Sequence, residues 1–200
     1  MKVICIGDSL TAGDYGVKGK SGIANVHKEN YPYFLAENTG WEVENYGKCG
    51  SRADTYLNYY KENKPYVADA DVIVIMLGTN GGNDPEKNTP CNEAFRELIR
   101  LLSEDAVNAK IILCTPPHAT KNKEYSNFGY LPQIIKSGEF VKNLAAEKNL
   151  PLIDVYNCEY FTSETESIMQ PNDGLHFCEE GYKTLAKVIE HGIRSIVRFN

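Results

Sequence analysis

The sequence lacks several features that would each suggest a class of protein. Its 200 residues contain no long apolar segment and no excess of basic residues, since 27 Asp and Glu against 21 Lys and Arg give a net charge of −6. These absences argue against a membrane-spanning helix and against a nucleic-acid-binding face. Internal repeats and low-complexity tracts are also missing. We therefore expect one soluble globular domain over residues 1–200, with no nucleic-acid or membrane partner, and no motif indicates an oligomeric state.

The cysteines form neither a metal-binding nor a disulfide pattern. They are scattered singly, without a CxxC pair, at Cys5, Cys49, Cys91, Cys114, Cys158 and Cys178. We predict no metal site, and we interpret Cys5 and Cys114 as small buried side chains in a reducing compartment. The first apolar run is too short for a signal peptide, and no small-residue cleavage pattern follows it. This predicts a cytoplasmic protein.

Short apolar runs alternate with helical patterns along the chain. We predict strands over residues 3–6, 43–46, 71–77, 110–114 and 152–155, and helices over residues 31–39, 53–63, 92–106, 133–148 and 179–198. Alternation of this kind predicts parallel strands joined by right-handed crossovers. The expected fold is a three-layer α/β/α sandwich with a five-stranded parallel sheet in the flavodoxin-like order 2-1-3-4-5.

A serine follows the first predicted strand, in GDSLTAG at residues 7–13. Open α/β sheets bind their ligands at the carboxyl ends of their strands, so Ser9 lies where a nucleophile would be expected. A serine in such a loop is also a common cap or turn residue. A catalytic interpretation therefore depends on finding a base, an orienting acid and an oxyanion hole elsewhere in the chain.

Candidate oxyanion donors follow the next two strands. Gly50, in NYGKCGS at residues 45–51, can bring a backbone N–H close to a ligand, and Asn80, in GTNGGND at residues 78–84, offers a side-chain amide. With the N–H of Ser9 they would supply three donors. Taken singly, the glycine indicates a tight turn and the asparagine an Asx-turn.

A candidate base and its partner precede the last predicted helix, in NDGLHF at residues 172–177. Asp173 and His176 are three positions apart in a loop that enters a helix, which lets both side chains project to one side. His176 could then take the proton of Ser9 while Asp173 orients the imidazole.

These four motifs, in this order, resemble the GDSL-type lipases and acylhydrolases, also called SGNH hydrolases. The resemblance implies Ser9 as nucleophile, His176 as base, Asp173 as its partner, and an oxyanion hole of Ser9, Gly50 and Asn80, with neither a metal nor a cofactor. One position departs from the family pattern, because Gly81 replaces the Asp that usually follows the oxyanion asparagine. An Asn-Asp pair comes later, at Asn83 and Asp84. This leaves Asn83 as the alternative donor, and we favour Asn80 because it lies directly at the strand end.

Two functions from different classes fit these patterns. The first is a serine ester hydrolase that acts on a small-molecule ester through an acyl-enzyme. The second is a non-catalytic flavodoxin-like module whose GDSLTAG loop binds a phosphate or nucleotide at a helix start. The second offers no reason for the distant DGLH motif, so we favour the first.

The substrate is predicted from the two long loops, residues 11–30 and 116–132, which we expect to line the mouth of the site. Both are mostly polar, and Asp14 is one of the polar residues of the first loop. A polar rim favours short acyl groups, acetyl above all, on a carbohydrate or similar alcohol. The alternative among enzymes is a lysophospholipase or thioesterase. Two aromatic clusters fit either stacking on a sugar or packing of a half-buried face. They are Tyr56, Tyr59 and Tyr60, and Phe128 and Tyr130.

Overall fold

The structure, a computed structural model, describes residues 1–197. Over this range the chain forms five strands and seven helices, which alternate from the amino terminus. In chain order they are β1 (Lys2–Gly7), α1 (Ser9–Ala12), α2 (Tyr31–Thr39), β2 (Glu42–Gly47), α3 (Ala53–Asn63), β3 (Val72–Met76), α4 (Pro90–Asp105), β4 (Lys110–Cys114), α5 (Leu131–Lys148), β5 (Leu152–Ile153), α6 (Glu166–Met169) and α7 (Glu179–Ile196).

The strands form one parallel sheet in the order β2-β1-β3-β4-β5. The predicted fold class, a flavodoxin-like α/β sandwich, is therefore confirmed. The register places Gly7 beside Gly47 on one side and Met76 on the other. The carboxyl ends of β1, β2 and β3 consequently reach the same edge of the sheet, and the three loops that carry the oxyanion candidates and Ser9 start there.

Two apolar cores lie on opposite faces of the sheet. Alternate residues of β1 point to opposite sides, as the two-residue period of a strand requires: Ile4 and Ile6 pack with α3, α4 and α5, whereas Val3 and Cys5 pack with α2 and α7. Cys5 and Cys114 are both fully buried, as predicted. No helix within residues 1–197 is long and apolar enough to cross a lipid bilayer.

The tyrosines of α3 pack against the core of the protein. Tyr56 and Tyr60 are buried in the core between α3 and the sheet, and Tyr59 packs against that core. The packing interpretation is therefore correct for this cluster. Tyr56 and Tyr60 therefore offer no exposed face for stacking on a sugar.

The predicted bounds of the strands and of the five predicted helices agree with the structure to within two residues. Strands β3 and β5 are each shorter than predicted by two residues. Two helices of four residues, α1 and α6, were not predicted, and α1 occupies the start of what we expected to be a loop. Arg198, the predicted end of the last helix, lies outside the described residues, as do the final two positions of the expected domain.

Candidate active site

Ser9 is the first residue of α1, immediately beyond the end of β1. The Asp8 side chain caps this short helix by accepting a hydrogen bond from the N–H of Leu10 at 3.1 Å. Gly13 ends the helix in the left-handed conformation that favours glycine, with φ of 99°. Ser9 is thereby held at a helix N-terminus, almost fully buried, with its side chain on the wall of a cavity.

The loop after β2 packs tightly against α1. The Asn45 side chain joins the two, since its amide donates to the carbonyl of Thr11 at 2.8 Å and its oxygen accepts from the N–H of Gly47 at 2.9 Å. A Cβ atom on Gly47 would lie only 2.2 Å from the backbone nitrogen of Ala12. Glycine is therefore required for the close approach that brings this loop to Ser9.

Gly50 and Asn80 line the same cavity as Ser9. Gly50 has a positive φ of 74°, and neither its N–H nor that of Ser9 donates to another group within the described residues. The Asn80 amide donates one hydrogen bond to the carbonyl of Ser51 at 3.0 Å, which ties the loop after β3 to the loop after β2. Its second amide hydrogen leaves a donor for the cavity.

The alternative donor, Asn83, does not line this cavity. Its amide is buried and donates to the side-chain oxygen of Asn92 on α4, at 3.2 Å. Asp84 turns outward to an ion pair with Lys136 of α5, at 2.9 Å. The Asn-Asp pair thus braces the loop against neighbouring helices, while Asn80 faces the cavity.

A continuous chain of hydrogen bonds joins Asp173, His176 and Ser9. Asp173 Oδ2 lies 2.7 Å from His176 Nδ1, and His176 Nε2 lies 3.0 Å from Ser9 Oγ. Asp173 is 1% exposed, and its Oδ1 accepts from the N–H groups of Leu175 and His176 at 3.0 and 2.9 Å. Because a carboxylate can only accept, we assign the ring proton to Nδ1. Nε2 is then free to accept the proton of the Ser9 hydroxyl.

Negative charge surrounds the His176 ring. Burial lowers its pKa, but the hydrogen bond to Asp173 and the charges of Asp173, Asp14 and Asp8 raise it, and the net pKa lies above the ordinary histidine value. Asp8 is completely buried, and this burial raises its pKa to about 6. The electrostatics of the site therefore favour the imidazolium form of His176.

The cavity around Ser9 has a volume of about 230 Å³. As predicted, both long loops contribute to its wall, the first through Gly22, Ile23 and Ala24 and the second through Asn127 and Tyr130. It borders a second cavity of about 450 Å³, which shares Asn80 and Tyr130 and includes the exposed Phe128. The described residues contain no cluster of three or more His, Cys, Asp or Glu placed to hold a metal ion.

Residues 5–184 match the GDSL-like lipase/acylhydrolase family. The chain belongs to this family. The match spans most of the sequence and includes Ser9, Gly50, Asn80, Asp173 and His176. This GDSL-family protein is therefore related to esterases and acylhydrolases. No curated protein matches the sequence.

Solved structures share the fold over nearly the whole GDSL-family chain. A lipase/acylhydrolase from Enterococcus faecalis is 24% identical, with a TM-score of 0.68 and coverage of 98% of this chain and 97% of the other. A carbohydrate acetylesterase from Sinorhizobium meliloti is 18% identical, with a TM-score of 0.72 and coverage of 98% and 99%. An aryl esterase from M. smegmatis is 19% identical, with a TM-score of 0.67 and the same coverage. At these identities the likeness concerns the fold.

One residue of the GDSL-family site was misplaced by the sequence interpretation. Asp14 was counted among the polar residues of the cavity mouth, but it is only 3% exposed and lies on the cavity wall beside His176. The short helix α1 is the reason, because it turns the chain back after Ser9 so that Asp14 N donates to the carbonyl of Ser9 at 2.9 Å. The helix-ending Gly13 was the signal available in the sequence.

Proposed function

We propose that this protein is a serine ester hydrolase that works through an acyl-enzyme. The observation that carries the proposal is the chain of hydrogen bonds from Asp173 through His176 to Ser9, at 2.7 and 3.0 Å. These are the contacts that a base and its orienting acid need in order to activate a hydroxyl. The residues come from two ends of the sequence and meet at the carboxyl edge of the sheet.

The first half of the proposed reaction forms the acyl-enzyme. His176 Nε2 takes the hydroxyl proton as Ser9 Oγ attacks the ester carbonyl carbon, and Asp173 stabilises the imidazolium that results. The N–H groups of Ser9 and Gly50 and the amide of Asn80 stabilise the negative charge on the carbonyl oxygen. The tetrahedral intermediate then expels the alcohol, whose oxygen takes the proton from Nε2.

Water completes the cycle. A water molecule takes the place of the alcohol, loses a proton to Nε2 and attacks the acyl carbon, and Ser9 leaves with that proton. Ser9, His176 and Asp173 end the cycle in the protonation states in which they began it. Water is the only co-substrate.

We further propose that the acyl group is short, with acetyl preferred, and that the alcohol is polar. Support comes from the small cavity at Ser9, about 230 Å³, and from the polar loops around it. A long acyl chain needs an apolar groove that buries many methylenes, each worth roughly 0.8 kcal/mol. A lysophospholipase or thioesterase is the competing substrate class. The carbohydrate acetylesterase among the structural neighbours fits a polar alcohol.

A phosphate-binding module is disfavoured by the charges around Ser9. Asp8, Asp14 and Asp173 all lie near the His176 ring. Three carboxyl groups at one site oppose the binding of an anion, even at a helix N-terminus.

Labelling by a fluorophosphonate probe tests the proposed nucleophile. The wild-type protein should be labelled on Ser9, and Ser9→Ala should lose both the label and hydrolysis of p-nitrophenyl acetate, by at least about 10³-fold. Ser103→Ala, on the outer side of α4, is the matched control and should behave as wild type. Wild-type rates in Ser9→Ala would contradict the assignment.

A further inference from the structure

A second carboxylate faces the Ser9–His176 pair. Asp14 Oδ2 lies 3.7 Å from His176 Nε2, the ring nitrogen that also contacts Ser9. The Asp14 side chain is 5% exposed and lies on the cavity wall with Ser9 and His176. The proposed chemistry makes no use of this carboxylate, because Asp173 already orients the other ring nitrogen.

The surrounding backbone holds Asp14 rigidly but leaves one oxygen without a donor. Oδ1 accepts hydrogen bonds from the N–H groups of Gly16 and Asn25, at 2.8 and 2.9 Å. The main-chain carbonyl of Asp14 accepts from the Tyr182 hydroxyl at 2.7 Å. Oδ2 accepts no hydrogen bond from any residue between 1 and 197. A carboxylate oxygen in this state, on the wall of a cavity, is a strong acceptor that favours a ligand able to donate to it.

The proposed reaction brings the leaving alcohol close to Asp14 Oδ2. The departing alcohol oxygen must come within about 3 Å of Nε2 to take its proton. Oδ2 lies 3.7 Å from the same nitrogen. A substituent on the carbon next to the ester-bearing carbon would therefore come within hydrogen-bonding reach of Oδ2.

The other ionisable groups of the cavity do not offset this charge. Asp8 and Asp173 lie near the ring, and Cys49 and Tyr130 line the cavity. No Lys or Arg of the described residues lines it. A donor beside the ester is favoured at this position, whereas an anionic group meets repulsion from Asp14, because His176 must be neutral when it acts as the base.

We propose that Asp14 selects the leaving group of this enzyme. Its Oδ2 accepts a hydrogen bond from a hydroxyl on the carbon adjacent to the ester-bearing carbon, which makes esters of 1,2-diols the preferred substrates and partly acetylated polyols or sugars the matching class. The same oxygen rejects esters of anionic alcohols. This inference rests on the proposed ester hydrolysis.

Three acetates of nearly equal size test the selection in the wild-type protein. They are 2-hydroxyethyl acetate, propyl acetate, which replaces the hydroxyl by a methyl, and acetoxyacetate, which carries a carboxylate there. We expect kcat/KM to be roughly 10- to 100-fold higher for the hydroxyethyl ester than for the propyl ester. Acetoxyacetate should be the poorest of the three. Equal values, or a preference for propyl acetate, would overturn the selection by Asp14.

Two variants assign the selection to Asp14. Asp14→Asn keeps the size of the side chain and the Oδ1 acceptor, and should lower the hydroxyethyl-to-propyl ratio at least about threefold. The amide nitrogen cannot accept from the hydroxyl, and the neutral hydrogen bond that it can donate is weaker than the charge-assisted one to a carboxylate. It should also raise the relative rate on acetoxyacetate and shift the acid limb of kcat/KM to lower pH. Glu104→Gln, on the surface of α4, removes the same charge and should leave the ratio unchanged. Melting temperatures show whether each variant is folded.

The outcomes separate this inference from the proposed function. Wild-type protein that hydrolyses none of the acetates overturns the proposed ester hydrolysis, and the selection falls with it. Hydrolysis with an unchanged hydroxyethyl-to-propyl ratio in folded Asp14→Asn overturns the role of Asp14 alone. If Asp14→Asn does not fold, the wild-type panel still decides, because it requires the hydroxyethyl preference.

Discussion

At the scale of single residues, substitutions can distinguish the role of Asn80 from that of the nearby Asn83. The Asn80 amide donates one hydrogen to the Ser51 carbonyl, and its other hydrogen is available to a ligand in the cavity. Asn83, three positions later, bonds instead to Asn92 behind the loop. The two asparagines therefore have different expected effects on rate and stability.

Asn80→Ala should lower kcat by roughly 10²- to 10³-fold, the usual effect of removing one oxyanion donor. Asn83→Ala should lower the melting temperature, because it removes a buried hydrogen bond to Asn92 and leaves a void, while the folded protein keeps a kcat within a few-fold of wild type. Steady-state kinetics on p-nitrophenyl acetate and thermal melts measure both effects. A larger loss of kcat in Asn83→Ala would show that the wrong donor was chosen.

The charge around His176 predicts the pH dependence of the reaction. Burial lowers the pKa of His176, but the hydrogen bond to Asp173 and the nearby carboxylates together raise it by more. The net pKa lies above the ordinary value of 6.5. A base acts only when it is unprotonated, so kcat/KM should fall as the pH drops through this raised pKa. The midpoint of the acid limb should thus lie above pH 6.5. A measured midpoint below 6.5 would show that burial dominates over the carboxylates.

The sequence was sufficient to propose Ser9, Asp173 and His176 but not the role of Asp14. Asp173 and His176 are neighbours in one motif, so their contact follows from local spacing. The 3.7 Å approach of Asp14 to His176 depends instead on the turn of α1 and on the N–H groups of Gly16 and Asn25. These are properties of a folded loop, and a residue pattern alone does not contain them.

At the scale of secondary-structure elements, the contact between α1 and the end of β2 holds the segment that leads to Gly50 against the helix that contains Ser9. Glycine at position 47 is what permits this contact, since a Cβ there would lie 2.2 Å from Ala12 N. The backbone atoms on both sides are held by Asn45. A small steric change at this contact would separate two of the three proposed oxyanion donors.

Gly47→Ala should destabilise the fold by about 1–3 kcal/mol, as overpacking commonly does, and should lower kcat because Gly50 moves away from Ser9. Gly138→Ala makes the same chemical change inside α5, where a Cβ meets no atom within 4 Å. This control should be neutral or stabilising by up to about 1 kcal/mol, since alanine favours a helix. Denaturant melts and kcat test the pair, and equal effects of the two substitutions would contradict the steric argument.

Element prediction succeeded for the helices long enough to show a helical period. The predicted bounds of α2 and α3 agree with the structure, because each has a clear start and an αL residue at its end, Gly40 and Lys64 respectively. Helices α1 and α6 contain four residues each, too few to show a period of 3.6. Their existence depends on the loops that close around them.

At the scale of the whole molecule, the alternation of strands and helices along the chain predicts the order of the strands in the sheet. Right-handed crossovers and one doubly wound sheet leave few arrangements for five parallel strands. The size of the cavity at Ser9 is a different kind of property, because it depends on how residues 13–30 and 115–130 fold over the sheet edge. The polarity of those loops predicts only what their surface favours.

The small cavity predicts the dependence of rate on acyl length. Across p-nitrophenyl esters of two to twelve acyl carbons, kcat/KM should be highest for the acetyl or propionyl ester and lower for octanoyl, because the cavity of about 230 Å³ lies below the usual size of ligand pockets and is bordered by polar loops. The same leaving group throughout serves as the internal control. A maximum at eight or more carbons would refute the short-acyl proposal and favour a lysophospholipase or thioesterase.

The hydrogen bond between His176 and Ser9 spans 167 positions of the sequence. The serine lies beside the first strand, which is the second from the edge of the sheet, while its partner precedes the final helix. On the ribosome, the amino-terminal serine therefore emerges long before the histidine that would activate it. A nascent chain that has not yet passed position 176 carries the Ser9 hydroxyl without the base proposed for it, so the proposed hydrolysis requires synthesis beyond the DGLH motif.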